Sequence, residues 1–121
     1  MMAILLAVLI TLTTYSDPAC TIPCRDFESH SNVYVKAEPA NGWYDFRYYD
    51  GTGKLVYMHD FQADDKKIIT WITPSVLIAQ SSATSGLWRV ELWRGKEGNP
   101  ARMVATAWFY VADSVLADGE Q

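Results

Sequence analysis

The chain is 121 residues long, with 10 Lys and Arg against 14 Asp and Glu, for a formal net charge of −4. Half of its residues are hydrophobic and 20% are charged, a balance that excludes a disordered, highly charged chain and suits one domain with a core of its own. The mild acidity lacks the basic footprint of phosphate-backbone recognition, so nucleic acid is not an expected partner.

Met1 to Leu12 is apolar except for Thr11. About a dozen residues fall short of the ~20 that cross a bilayer as a helix. The length matches the apolar region of a secretory signal, and Thr14 and Ser16 supply small residues at −3 and −1 of a cut after Ser16. No Lys or Arg precedes the run. Residues 1–16 are therefore expected to be a signal peptide or membrane anchor, the alternative being a buried N-terminal strand or helix. Export would place the rest of the chain outside the cell or in the envelope.

Residues 17–32 read as a linker holding both cysteines, Cys20 and Cys24. Three readings of the pair stand side by side. A disulfide would close a five-residue ring and contribute about 2 kcal/mol by the chain-entropy relation, and Pro23 disfavours helix inside that ring. Lipidation of Cys20 would call for a Leu-like residue at −3 and small residues at −2 and −1, whereas Asp17, Pro18 and Ala19 stand there and only the last fits. A zinc site would need two more ligands, and His30 and His59 are the only histidines. No metal or other cofactor is expected.

From Asn32 onward apolar and polar residues alternate between turn signals, a strand pattern. Val33, Val35 and Ala37 share one face of the first strand. In Trp43 to Tyr49 the uncharged set Tyr44, Phe46 and Tyr48 is expected inward, and Trp43, Asp45, Arg47 and Tyr49 outward. Asp50-Gly51-Thr52-Gly53 closes a hairpin onto Lys54 to Phe61. Asp64 to Lys67 is a charged loop, Ile68 to Ile72 a short apolar strand stopped by Pro74, Val76 to Ala79 a segment of open type, and Gln80 to Gly86 a polar loop.

Leu87 to Trp93 and Arg102 to Val111 form the last hairpin, around a loop from Arg94 to Ala101. Pairing Trp93 with Arg102 sets Trp88 against Ala107, Val90 against Ala105 and Leu92 against Met103, large opposite small. A slip of one residue would drive Arg89 and Glu91 into the core. The acidic residues 112–121 read as a flexible tail. About seven short strands in ~80 residues predict an all-β, antiparallel two-sheet immunoglobulin-like sandwich over 33–111, with a small barrel as the alternative.

Gly86-Leu87-Trp88-Arg89-Val90-Glu91-Leu92-Trp93, a glycine-bearing loop and Ala105 to Val111 resemble the closing hairpin of small immunoglobulin-like domains in secreted and envelope bacterial proteins. Tyr49-Asp50-Gly51-Thr52-Gly53-Lys54-Leu55 is similar to an earlier hairpin of the same domains. The resemblance implies the fold over Val33 to Val111. It implies no shared catalytic activity and no site residues.

The sequence offers little to an enzyme. It has no G-x-S-x-G elbow, phosphate-cradling loop, zinc signature or calcium loop, and Asp50-Gly51-Thr52-Gly53 differs from the Asp-Thr-Gly of aspartic proteases by one glycine. His59 and Asp60, adjacent in a strand, point to opposite faces. No spacing selects a carboxylate pair among Asp45, Asp60, Glu91 and the loop acids.

The chain instead carries five Trp and seven Tyr, more than one small core needs. Trp43, Tyr49, Trp93, Trp108 and Tyr110 are the candidate surface binding residues, suited to anchoring a protein or stacking on sugar rings. Ordinary packing, with Arg102 over Trp93, is the competing reading. The expected function is thus a non-catalytic exported module contacting another envelope or extracellular protein or its own copies, with a free edge strand as one means. The alternatives are a carbohydrate-binding module on Trp43, Trp93 and Trp108, and a small secreted enzyme inhibitor. Membrane contact would run only through the N-terminal segment or a lipidated Cys20.

Overall fold

A computed structural model describes residues 9–78, 84–95 and 102–112. The elements given by these residues are, in order, β1 (Thr11–Tyr15), β2 (Asp26–Glu28), β3 (Val33–Glu38), β4 (Trp43–Tyr49), β5 (Leu55–Gln62), β6 (Ile68–Ile72), the helical turn α1 (Pro74–Leu77), β7 (Gly86–Arg94) and β8 (Arg102–Ala112). They build a three-stranded sheet, β1-β3-β6, and a five-stranded sheet, β2-β8-β7-β4-β5. Every pair is antiparallel except β2 with β8.

The two sheets share one core, because alternation gives each strand one apolar side. Val33, Val35, Ala37, Ile68 and Ile72 come from the small sheet, and Tyr44, Phe46, Tyr48, Trp88, Val90, Leu92, Phe109 and Val111 from the large one. Trp88 is fully buried, and its indole N–H donates to the Thr84 carbonyl at 2.6 Å. That bond satisfies the polar atom which burial would otherwise leave stranded.

The Asp50 turn is fixed by its own side chain. Asp50 Oδ1 accepts from the Thr52 amide (2.9 Å), the Thr52 hydroxyl (2.6 Å) and the Lys54 amide (3.0 Å). Burial raises the Asp50 carboxyl pKa, but these donors outweigh it and hold the group below the usual carboxylate value. The turn also seats against the start of β7. A Cβ on Gly51 would lie 2.4 Å from the Ser85 carbonyl oxygen, so only glycine fits there.

The closing hairpin forms with a register two residues away from the expected one. Trp88 pairs with Phe109, Val90 with Ala107 and Leu92 with Ala105. A shift between Leu92 and Trp93 then brings Trp93 opposite Met103 and Arg94 opposite Arg102. An even slip leaves every side chain on its face, so in-out alternation cannot detect it. Large therefore meets large: the Trp88 and Phe109 rings lie 6.0 Å apart.

The fold also reaches further toward the N-terminus than Val33. Thr11–Tyr15, within the segment expected to be a leader, is β1, paired along its length with β3 and burying Thr14. Asp26–Glu28, within the expected linker, is β2, and its Phe27 enters the core edge-on to Phe109 at 5.8 Å. The segment around Val76 is a single helical turn. Residues 1–8 and 113–121, where the start of the leader and most of the tail were expected, lie outside the described residues.

Candidate binding surface

Alternation sends Trp43, Asp45, Arg47 and Tyr49 of β4, Arg89, Glu91 and Trp93 of β7, and Trp108 and Tyr110 of β8 to the outer face of the large sheet. The strands lie side by side there, Arg47 opposite Glu91 and Tyr49 opposite Arg89, with Arg89 also opposite Trp108. The Arg47 guanidinium carbon sits 4.2 Å from the Trp93 ring centre, and Arg47 Nε donates to Asp45 at 2.8 Å. The Arg89 guanidinium carbon sits 3.9 Å from the Tyr49 ring and 5.6 Å from the Trp108 ring, and Arg89 Nε donates to Glu91 at 2.9 Å. Glu91 also accepts the Trp93 indole N–H at 3.0 Å.

Rings, cations and carboxylates are thus interleaved, each cation over a ring and bonded to an acid. Burial raises the Glu91 carboxyl pKa, but donation from Arg89, Trp93 and Tyr49 outweighs it and holds the group below its usual value. Asp45 goes the other way. It is 6% exposed, and burial pushes its carboxyl up, Arg47 pulls it down, and Asp60, opposite on β5, pushes it up again. The expected partner of Trp93, Arg102, is replaced by Arg47, which reaches the ring from the neighbouring strand β4 while Arg102 stands opposite Arg94.

The five candidate aromatics separate into two groups. Trp43, Tyr49 and Trp93 are half-buried, and Tyr49 and Trp93 each carry a guanidinium on the ring. Trp108 and Tyr110 are 49% and 47% exposed, and beside them Leu87, opposite Tyr110, is exposed as well. Trp93 stands opposite Met103, five residues from Trp108 along β8, which at strand rise is roughly 17 Å. Trp43, Trp93 and Trp108 therefore do not form one continuous platform. A cleft of about 270 Å³ flanks Trp108, lined among others by Thr14, Cys24, Arg25 and Thr106.

Both cysteines are free thiols. Cys20 is buried, which pushes its thiol pKa up, and Cys24 is half-buried with Sγ donating to the Asp26 carbonyl at 3.1 Å. Among the described residues no group of three or more His, Cys, Asp or Glu is placed to hold a metal ion. His30 Nδ1 lies 3.0 Å from Ser75 Oγ, and His59 packs between Tyr57 and Phe61.

A second exposed group lies on the outer face of the small sheet. Tyr15, Tyr34 and Trp71 stand in a row, one per strand, with Ile69 beside Trp71. Trp71 is 60% exposed and Ile69 40%. The sequence signal for them was the parity of Ile68 to Ile72: if Ile68, Thr70 and Ile72 face the core, Ile69 and Trp71 cannot. No protein-family model matches the chain, and comparison with curated proteins finds no match.

Proposed function

We propose that the protein is a non-catalytic, exported, immunoglobulin-like module that contacts another protein through the outer face of its large sheet. The observation carrying this reading is the contiguous exposed group Leu87, Trp108 and Tyr110, which has apolar area and hydrogen-bonding tips; Arg89 lies 5.6 Å from the Trp108 ring, whereas the neighbouring Trp93 and Tyr49 rings carry Arg47 and Arg89 at 4.2 and 3.9 Å. Strand order supports the immunoglobulin-like part. β1, β3 and β6 correspond to strands A, B and E of that plan, and β4, β5, β7 and β8 to C, C′, F and G. Neither β3 nor β7 holds a cysteine, so cohesion between the sheets rests on packing around Trp88 and not on the inter-sheet disulfide of antibody domains.

Export constrains the leader, because a cut after Ser16 would delete β1. The reading therefore has the signal cleaved upstream of Thr11, or retained as an anchor. Mass spectrometry of the exported protein tests this, with a mature N-terminus at or before Thr11 expected. A start at Asp17 would mean a sandwich that works without β1. The same spectrum reports a two-dalton loss for a Cys20–Cys24 bond or a lipid adduct on Cys20.

The contact itself is tested by a photoreactive residue at position 108 or 110 in producing cells, with position 54 as control. Protein adducts specific to 108 and 110 are expected. No adduct at either position, or retention on insoluble polysaccharide that Trp108→Ala abolishes with circular dichroism unchanged, would replace this reading with another, in the latter case a carbohydrate-binding module.

A further inference from the structure

A sandwich of two open sheets has four edge strands, and each is a template for another chain unless something blunts it. Three of the four are blunted. Against the outer side of β1 the chain folds back: the Cys24 amide donates to the Thr14 carbonyl and the Ser16 amide to the Ile22 carbonyl, both at 3.0 Å, and the Thr14 hydroxyl bonds the Cys24 carbonyl. β2 is only three residues long. β5 is interrupted by a register shift opposite Tyr48 and Tyr49 and carries Asp60.

The fourth edge, β6, has none of these devices. Ile68-Ile69-Thr70-Trp71-Ile72 holds no charge, proline or bulge, and it pairs with β3 without a register shift. Among the described residues no strand lies on its other side. Its outward side chains, Ile69 and Trp71, are among the exposed large apolar groups. Open backbone and open apolar surface thus coincide on one strand.

We propose that β6 is a self-association seam, at which two copies pair β6 antiparallel to β6 about a two-fold axis through Thr70. This goes beyond the protein-contact reading, since β6 lies in the opposite sheet from Trp108. The sequence of β6 is complementary to itself in that register. Thr70 faces Thr70, Ile68 of one copy faces Ile72 of the other on the core side, and Ile69 faces Trp71 on the outer side, twice. Aliphatic against aromatic is a favourable cross-strand pair. Lys67 of each copy falls opposite Thr73 of the other, so the charged loops lie at opposite ends of the seam, roughly 20 Å apart at strand rise. The product is a six-stranded sheet, and a two-fold contact of this kind closes at the dimer.

Sedimentation of the full chain tests this. The expected result is a rise from 13.6 kDa toward twice that mass with concentration. Ile69→Lys with Trp71→Lys is expected to lower the association constant at least tenfold, while Trp108→Ser leaves it unchanged. Hydrogen exchange on the unmodified protein is expected to show concentration-dependent protection confined to amides 68–72, a readout independent of how the lysine variant folds. A chain monomeric up to millimolar concentration, a dimer without protection at 68–72, or association that continues past the dimer overturns the proposal. A dimer lost in Trp108→Ser places self-contact on the large sheet, overturning the seam while leaving the protein-contact reading standing.

Discussion

The two outer faces of the sandwich use aromatic residues in opposite ways. On the large sheet Arg47 and Arg89 lie over Trp93 and Tyr49 and are themselves held by Asp45 and Glu91, so these rings have already found their partners. On the small sheet Lys36 approaches Tyr15 at 5.4 Å and pairs with Glu38 at 3.3 Å, and among the described residues the tilted Tyr34 ring, 6.3 Å away, lies beside Trp71. An aromatic on an outward strand position is therefore not by itself a binding residue. What differs among these rings is how closely a guanidinium is brought to them, 4.2 and 3.9 Å at Trp93 and Tyr49 against 5.6 Å at Trp108.

The sharpest way to break the comparison is to substitute the tryptophan that both faces depend on. Trp88→Ala removes the largest fully buried side chain and is expected to cost about 3–5 kcal/mol in denaturant unfolding. Trp71→Ala, on an exposed position, is expected to change monomer stability by less than about 0.5 kcal/mol. Similar values for the two would mean that Trp88 is not the centre of a shared core.

Glu91 is where the large face is knitted together. Glu91→Gln keeps the shape but weakens acceptance from Arg89 and Trp93, at an expected cost of about 1–2 kcal/mol at pH 7. The sign of its pH dependence follows from its lowered pKa. The unfolded chain takes up the proton first, so the contribution of Glu91 is complete above its ordinary value of 4.5 and is lost as pH falls through its lower folded value. The native-minus-variant difference should therefore shrink only in acid. A difference that is flat from pH 7 to pH 3 would show that the Glu91 network does not hold the face together.

These contrasts were partly legible in the residues. The strand Trp43–Tyr49, its buried parity and the Asp50 turn follow from alternation and from glycine and Asx chemistry, both local signals. The pairing of Trp88 with Phe109 does not, since an even slip preserves every face and is decided by a local shift at Leu92 and Trp93. β1 stood only as the alternative to a leader, because a short uncharged segment such as Thr11–Tyr15 looks alike as leader and as strand, and β2 was hidden because three residues, Asp26–Glu28, are too few to show alternation. Trp93 could be assigned outward, but its partner depended on which neighbour, β4 or β8, brings the nearer guanidinium, and sequence spacing carries no such information.

Geometry on Trp93 can be sharpened with a charge-conserving change. Arg47→Lys retains the cation but loses the planar group stacked on the indole, and is expected to cost about 0.5–1 kcal/mol. The emission of Trp93, read as the difference that Arg47→Lys makes in a variant with Trp43, Trp71 and Trp108 replaced by Phe, should shift toward that of a hydrated ring. An unchanged spectrum would separate stacking from stability on this face.

The smallest effect runs in the stabilising direction. Asp45 and Asp60 stand opposite each other on β4 and β5, and like charges so placed oppose folding. Burial together with Asp60 keeps the Asp45 carboxyl above its ordinary value despite Arg47, so the folded state binds that proton more readily than the unfolded chain. The resulting penalty is present at neutral pH and fades as pH falls from the raised folded value to the ordinary one. Asp60→Asn is expected to raise stability by about 0.5 kcal/mol at pH 7, with the gain disappearing below the carboxylate range. A loss of stability at pH 7 would instead mean that the contacts Asp60 makes on this edge outweigh the repulsion, leaving β5 guarded by a bonded acid.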